Sequence, residues 1–140
     1  MRQALPTRRY VALVVDDDEY VRGFVREVLE KEGFEVHIAE GGKTGISIYE
    51  KQPDLSLIVT DILMPEADGI DFIFQIRHRT ATGAAQPKII AISGGGSIEA
   101  QVYLEDAKGL GADVTIEKPF SAFDLREALS HLGFDLTASD

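Results

Sequence analysis

Apolar runs in this chain stop abruptly at residues that can do chemistry. Leu55-Ser56-Leu57-Ile58-Val59-Thr60 ends at Asp61, and Tyr10-Val11-Ala12-Leu13-Val14-Val15 ends in Asp16-Asp17-Asp18-Glu19. Pro87-Lys88-Ile89-Ile90-Ala91-Ile92 ends at Ser93, and Val114-Thr115-Ile116-Glu117 ends at Lys118-Pro119-Phe120. If these runs are parallel neighbours in one sheet, an acid pair, a lone aspartate, a hydroxyl and an ammonium meet at its carboxyl edge. Ligands bind at that edge in an open α/β sheet, because strand ends and the loops after them line a crevice. Asp61 is the candidate reactive residue. Asp16, Asp17 and Asp61 crowded together repel, which raises their pKa values unless a cation neutralises them. A hard divalent ion does so. Magnesium fits better than calcium, since it is held by one or two carboxylates together with waters and phosphate oxygens. Ser93, as a hydrogen-bond donor, and Lys118, as a point charge, can both hold a phosphoryl group.

The elements that must position these residues are legible from periodicity. The run before Asp61, bounded by Pro53 and Pro65, reads as a strand buried on both faces. Phe34-Glu35-Val36-His37-Ile38-Ala39 and Val114-Thr115-Ile116-Glu117 alternate instead, which nominates the second and fifth strands as sheet edges. Asp18 can cap a helix whose apolar face is Val21, Phe24, Val25, Val28 and Leu29, with Gly33 ending it. Past Asp61, Pro65 and Gly69 make a tight turn, and Asp68 can cap a helix bearing Ile70, Ile73, Phe74 and Ile76. Arg79 to Gln86 reads as a loop. After Ser93, Gly94-Gly95-Gly96 marks a loop able to rearrange. A fourth predicted helix carries Ala100, Tyr103, Leu104, Ala107 and Leu110, is closed by Gly111, and turns Glu99, Glu105 and Asp106 outward. Ser121 with Asp124 can cap a fifth, whose packing stripe is Leu125, Ala128, Leu129 and Leu132. The expected organisation is a flexible N-terminal extension at 1–9, one domain at 10–133 and a frayed tail at 134–140.

Taken in order, Val14-Val15-Asp16-Asp17, Asp61 with Met64-Pro65 and Asp68-Gly69, Ser93, and Lys118-Pro119-Phe120 resemble the receiver domain of two-component response regulators, over about Tyr10 to Gly133. The resemblance implies an α/β fold: a doubly wound, five-stranded parallel sheet of order 2-1-3-4-5 with helices on both faces, of the flavodoxin-like type. It implies that Asp61 takes a phosphoryl group from a sensor histidine kinase or histidine phosphotransfer protein, with magnesium bound by Asp16, Asp17, Asp61 and the backbone carbonyl of Leu63. It implies a cis bond at Lys118-Pro119, and a downstream protein partner on the face of helix 4, strand 5 and helix 5. No activity on other substrates and no output domain in the chain are expected. Many receivers carry Tyr or Phe three positions before the lysine, where this chain has Thr115. The expected switch therefore runs through the backbone of Gly94 to Ser97. By analogy with such receivers, Leu63 and Gly95 flank the path of attacking water and offer it no polar side chain, so a long-lived phosphoryl form is expected.

Composition narrows the alternatives. The 140 residues, 44% apolar, suit one core, and a net charge of −10 argues against nucleic-acid affinity. There is no cysteine, hence no disulfide or thiol chemistry, and no run long enough for a membrane span, so a cytoplasmic protein is expected. Arg2, Arg8 and Arg9 leave a basic docking arm as an alternative to a floppy terminus. Gly41-Gly42-Lys43-Thr44-Gly45 resembles the end of a phosphate-binding loop, but His37 stands where its first glycine belongs. Glu99 likewise spoils a dinucleotide fingerprint. An aspartyl-phosphate phosphatase would want an acid at Leu63, and a flavin phosphate would be repelled by Asp16-Asp17-Asp18. His37, His78 and His131 lie apart from the acid cluster in the predicted topology.

Overall fold

The computed structural model describes residues 10–62, 69–79, 86–94, 108–109 and 111–136. In chain order these form β1 (Tyr10–Val15), α1 (Glu19–Lys31), β2 (Phe34–Ala39), α2 (Gly42–Lys51), β3 (Leu57–Asp61), α3 (Gly69–Arg79), β4 (Lys88–Gly94), β5 (Val114–Lys118) and α4 (Ala122–His131). The last is the fifth helix of the sequence reading. The predicted fourth lies outside the described residues except at Lys108 and Gly109. Leu63, Pro65, the Asp68 cap, Gly95 to Ser97, and Arg2, Arg8 and Arg9 also lie outside them.

The strands make one sheet, order β2-β1-β3-β4-β5, and every pair is parallel. Because side chains alternate along a strand, each central strand feeds two cores. Val11, Leu13, Val15, Ile58, Ile89 and Ala91 face α2 and α3; α3 contributes Phe72, Ile73 and Ile76, and Ile46 of α2 packs against the same core. Ala12, Val14, Leu57, Val59, Ile90 and Ile92 face α1 and α4, which contribute Val25, Val28, Leu29, Leu125, Ala128 and Leu129. β3 is buried throughout, whereas β2 and β5 are only partly covered, as their alternation predicts. No helix among the described residues is long and apolar enough to cross a membrane.

Local signals hold at the helix ends. Asp18 Oδ1 accepts from the Tyr20 amide at 2.9 Å and caps α1, and Gly33 leaves that helix at φ 95°. Ser121 and Asp124 form a reciprocal capping box at α4.

Two expectations are corrected. Phe74 does not belong to the apolar stripe of α3; its ring is 42% exposed and stacks on His78 with centroids 3.9 Å apart. The buried face is Gly69, Phe72, Ile73 and Ile76, which recur at three- and four-residue intervals, while Phe74 falls outside that phase. Nor is the C-terminal segment frayed at Phe134 and Asp135, where it docks on β1; residues 137–140 lie outside the described ones. Phe134 packs 4.8 Å from the Tyr10 ring and 5.4 Å from Phe34, and the Asp135 amide donates to the Tyr10 hydroxyl at 3.0 Å. A few aperiodic residues after a helix give no pattern from which such docking can be read.

Candidate functional site

The sheet brings its carboxyl edge together in register. Val15 pairs with Thr60, Asp61 with Ile92, and Gly94 with Lys118. Asp16 therefore sits just past β1, Asp61 closes β3, Ser93 lies beside the end of β4, and Lys118 closes β5. The chain around Asp61 is pinned on several sides. Thr60 Oγ1 donates to the Asp61 carbonyl at 2.9 Å, the Ile62 amide to Ile92 O at 3.0 Å, and the Gly69 amide to Ile62 O at 2.9 Å. At Gly69 a Cβ atom would fall 2.1 Å from the Asp61 carbonyl oxygen and 2.5 Å from Ile62 Cα. Glycine is needed there for space, because α3 starts directly against the backbone of β3.

The consecutive aspartates after β1 divide their work. Asp16 is 1% exposed, and its Oδ1 accepts from the Asp18 amide at 2.8 Å. Asp17 is exposed and turns its carboxylate to the cluster. Asp18 spends its carboxylate on the helix cap. One oxygen each from Asp16, Asp17 and Asp61 lies within 4.8 Å of the others. Lys118 Nζ stands 3.7 Å from Asp61 Oδ2 and 3.8 Å from Asp16 Oδ2, and the Lys118-Pro119 bond is cis. Ser93 is fully buried, its Oγ donating weakly to the Gly94 carbonyl at 3.3 Å.

Burial, reinforced by the Asp61 and Asp17 charges, pushes the Asp16 carboxyl up to about 6, against the pull of the Asp18 amide and the Lys118 ammonium. Asp16 Oδ2 has no hydrogen-bond partner among the described residues, a costly state for a buried carboxylate oxygen. Clustered hard oxygens, one of them buried without a partner, fit a small divalent cation such as magnesium.

The sequence-predicted Asp16, Asp17, Asp61 and Lys118 thus come together by distance, and Ser93 by strand register. Leu63 lies outside the described residues. The histidines stay away: His37 bonds Glu35, His78 bonds the Phe74 carbonyl, and His131 ends α4. Around the site, sequence reasoning missed Thr60, the tight contact at Gly69, and Arg22, whose Nη1 donates to the Asp16 carbonyl at 2.9 Å. Thr60, a hydroxyl inside an apolar run, and Gly69, a glycine opening a helix, were visible oddities. Arg22 left no such signal.

Comparison with known proteins accords with this geometry. The family described as the response regulator receiver domain matches residues 12–130. The chemotaxis protein CheY of Bacillus subtilis is 38% identical over 120 residues, covering 84% of this chain and 92% of that protein. The transcriptional regulatory protein CpxR of Escherichia coli is 34% identical over 113 residues, covering 81% of this chain but 44% of that protein. The chain thus spans under half the length of such transcriptional regulators. Among solved structures, the CheX-CheY-BeF3-magnesium complex from Borrelia burgdorferi superposes with a TM-score of 0.75 at 25% identity, covering 88% of this chain and 89% of that one.

Proposed function

The chain belongs to the response regulator receiver domain family, and from that premise we propose that Asp61 is its phosphoacceptor. Receiver domains are signalling modules of two-component systems rather than enzymes with separate substrates. The observation that carries the reading is the convergence of the Asp16, Asp17 and Asp61 oxygens within 4.8 Å, with Lys118 Nζ 3.7 Å from Asp61 Oδ2.

An Asp61 carboxylate oxygen attacks the phosphorus of a phosphohistidine in line with the bond that breaks. The O–P bond forms as the P–N bond opens, and the electron pair leaves on the imidazole nitrogen, which takes a proton from solvent. Little covalent work falls to the protein in such a transfer; positioning and charge do most of it. The Lys118 ammonium balances charge on the transferred oxygens, and the Ser93 hydroxyl turns from the Gly94 carbonyl to donate to one of them. Magnesium, held by Asp16, Asp17, Asp61 and, as the resemblance implies, the Leu63 carbonyl, would supply the remaining positive charge. The Borrelia burgdorferi relative, a complex with BeF3 and magnesium, supports this ligand chemistry.

The donor is a sensor histidine kinase or a histidine phosphotransfer protein. A downstream protein binds the face made by the predicted fourth helix, β5 and α4 when Asp61 is modified. Activity is cytoplasmic, where such donors present their phosphohistidines. The test uses phosphoramidate, a small P–N donor, with magnesium, and intact mass as readout. Wild type gains one phosphoryl group, while Asp61→Asn, or wild type in EDTA, gains none. Equal labelling of Asp61→Asn would overturn the assignment.

A further inference from the structure

Asp16 is tethered at three points. Its amide donates to the Ala39 carbonyl at 3.1 Å, and its Oδ1 accepts from the Asp18 amide at 2.8 Å. Its own carbonyl accepts from Arg22 Nη1 at 2.9 Å, the one of these bonds supplied by another residue's side chain. That carbonyl belongs to the peptide joining Asp16 to Asp17. Holding it fixes the rotation of the peptide plane, and with it the direction in which Asp17 leaves the backbone. Among the described residues no hydrogen bond is seen on the Asp17 carboxylate itself, so its place beside Asp16 is set from the backbone.

We infer that Arg22 is a positioning residue: by clamping the Asp16–Asp17 peptide, its guanidinium presets the two carboxylates as a pair for a divalent cation. This rests on the metal reading above. Two effects of Arg22 on a cation have opposite signs. Its charge repels the incoming ion, so charge alone would make removal of Arg22 tighten binding. The clamp makes removal weaken binding, since loss of a group that orients a ligand typically lowers metal affinity.

The test is magnesium titration by calorimetry of the full chain, comparing wild type, Arg22→Met, Arg22→Lys and Asp16→Asn, with urea unfolding in EDTA alongside. Arg22→Met, which keeps the stem but no donor, binds magnesium about tenfold more weakly, at the low end of such effects. Arg22→Lys, whose ammonium keeps a charged donor, recovers most of that loss, and Asp16→Asn does not bind detectably. Wild-type or tighter affinity in Arg22→Met, even with lowered stability in EDTA, overturns the clamp alone, provided Asp16→Asn has lost binding. Arg22→Lys as weak as Arg22→Met also overturns it. No binding by wild type, or full binding by Asp16→Asn, overturns the metal reading and this inference together.

Discussion

Replacing Asp16 by asparagine should stabilise the metal-free protein at neutral pH, although it removes a proposed ligand. Burial raises the Asp16 carboxyl from 3.8 to about 6. A carboxyl that holds its proton more tightly when folded lowers stability as pH rises between those two values, because the folded state must then release a proton it prefers to keep. Below about pH 3 the group is protonated in both states and contributes nothing; above about pH 7 its full penalty is present. At about 1.4 kcal/mol for each tenfold change in proton affinity, that penalty is about 3 kcal/mol. Asparagine is uncharged, yet keeps an oxygen for the Asp18 amide now 2.8 Å from Oδ1. The variant should therefore match wild type near about pH 3 and exceed it above about pH 7 by about 3 kcal/mol, roughly 10 °C in Tm for a chain of this size. Urea unfolding in EDTA across that range measures the gap. Magnesium at about a hundred times its Kd then adds about 2.7 kcal/mol to wild type and little to the variant, closing the difference. A gap that does not widen with pH, or a variant less stable than wild type in EDTA at neutral pH, would refute the claim that a buried charge only partly offset by Lys118 defines this site.

Other perturbations probe the scaffold and the switch. Gly69→Ala must displace either α3 or the end of β3, since the new methyl would sit 2.1 Å from the Asp61 carbonyl oxygen. A loss of about 2 to 3 kcal/mol in urea unfolding, with slower labelling of Asp61, is expected. Arg77 donates to the Gly111 and Pro87 carbonyls and to Asp113, whose Oδ2 also takes the Ile89 amide. Arg77→Met should cost about 3 kcal/mol and speed hydrogen exchange at Ile89, yet leave magnesium affinity unchanged, because this clamp joins α3 to the far ends of β4 and β5. Adding BeF3 with magnesium should shift the amide resonances of Gly94 to Ser97 more than that of Thr115, as backbone-carried switching requires. Shifts confined to Thr115 would contradict it.

Residue pattern alone was enough to place the strands, the residues at their ends and the edge positions of the second and fifth strands. These are local properties: an apolar run, its abrupt stop and its alternation are written in neighbouring residues, and so are the Asp18 cap and the Ser121–Asp124 box. Parallel order did the rest, since it lines up every strand end at one edge and so brings Asp61 to Lys118 across 57 positions of chain. Packing alone settled which of Asp16 and Asp17 is buried and which is exposed, because two identical neighbours carry no difference until other elements surround them. The same holds for Phe72 taking the core in place of Phe74, for Phe134 closing over Tyr10, and for Arg22 reaching the Asp16 carbonyl. Each depends on the distance between elements and the phase of a helix against its sheet, which packing sets and periodicity does not record.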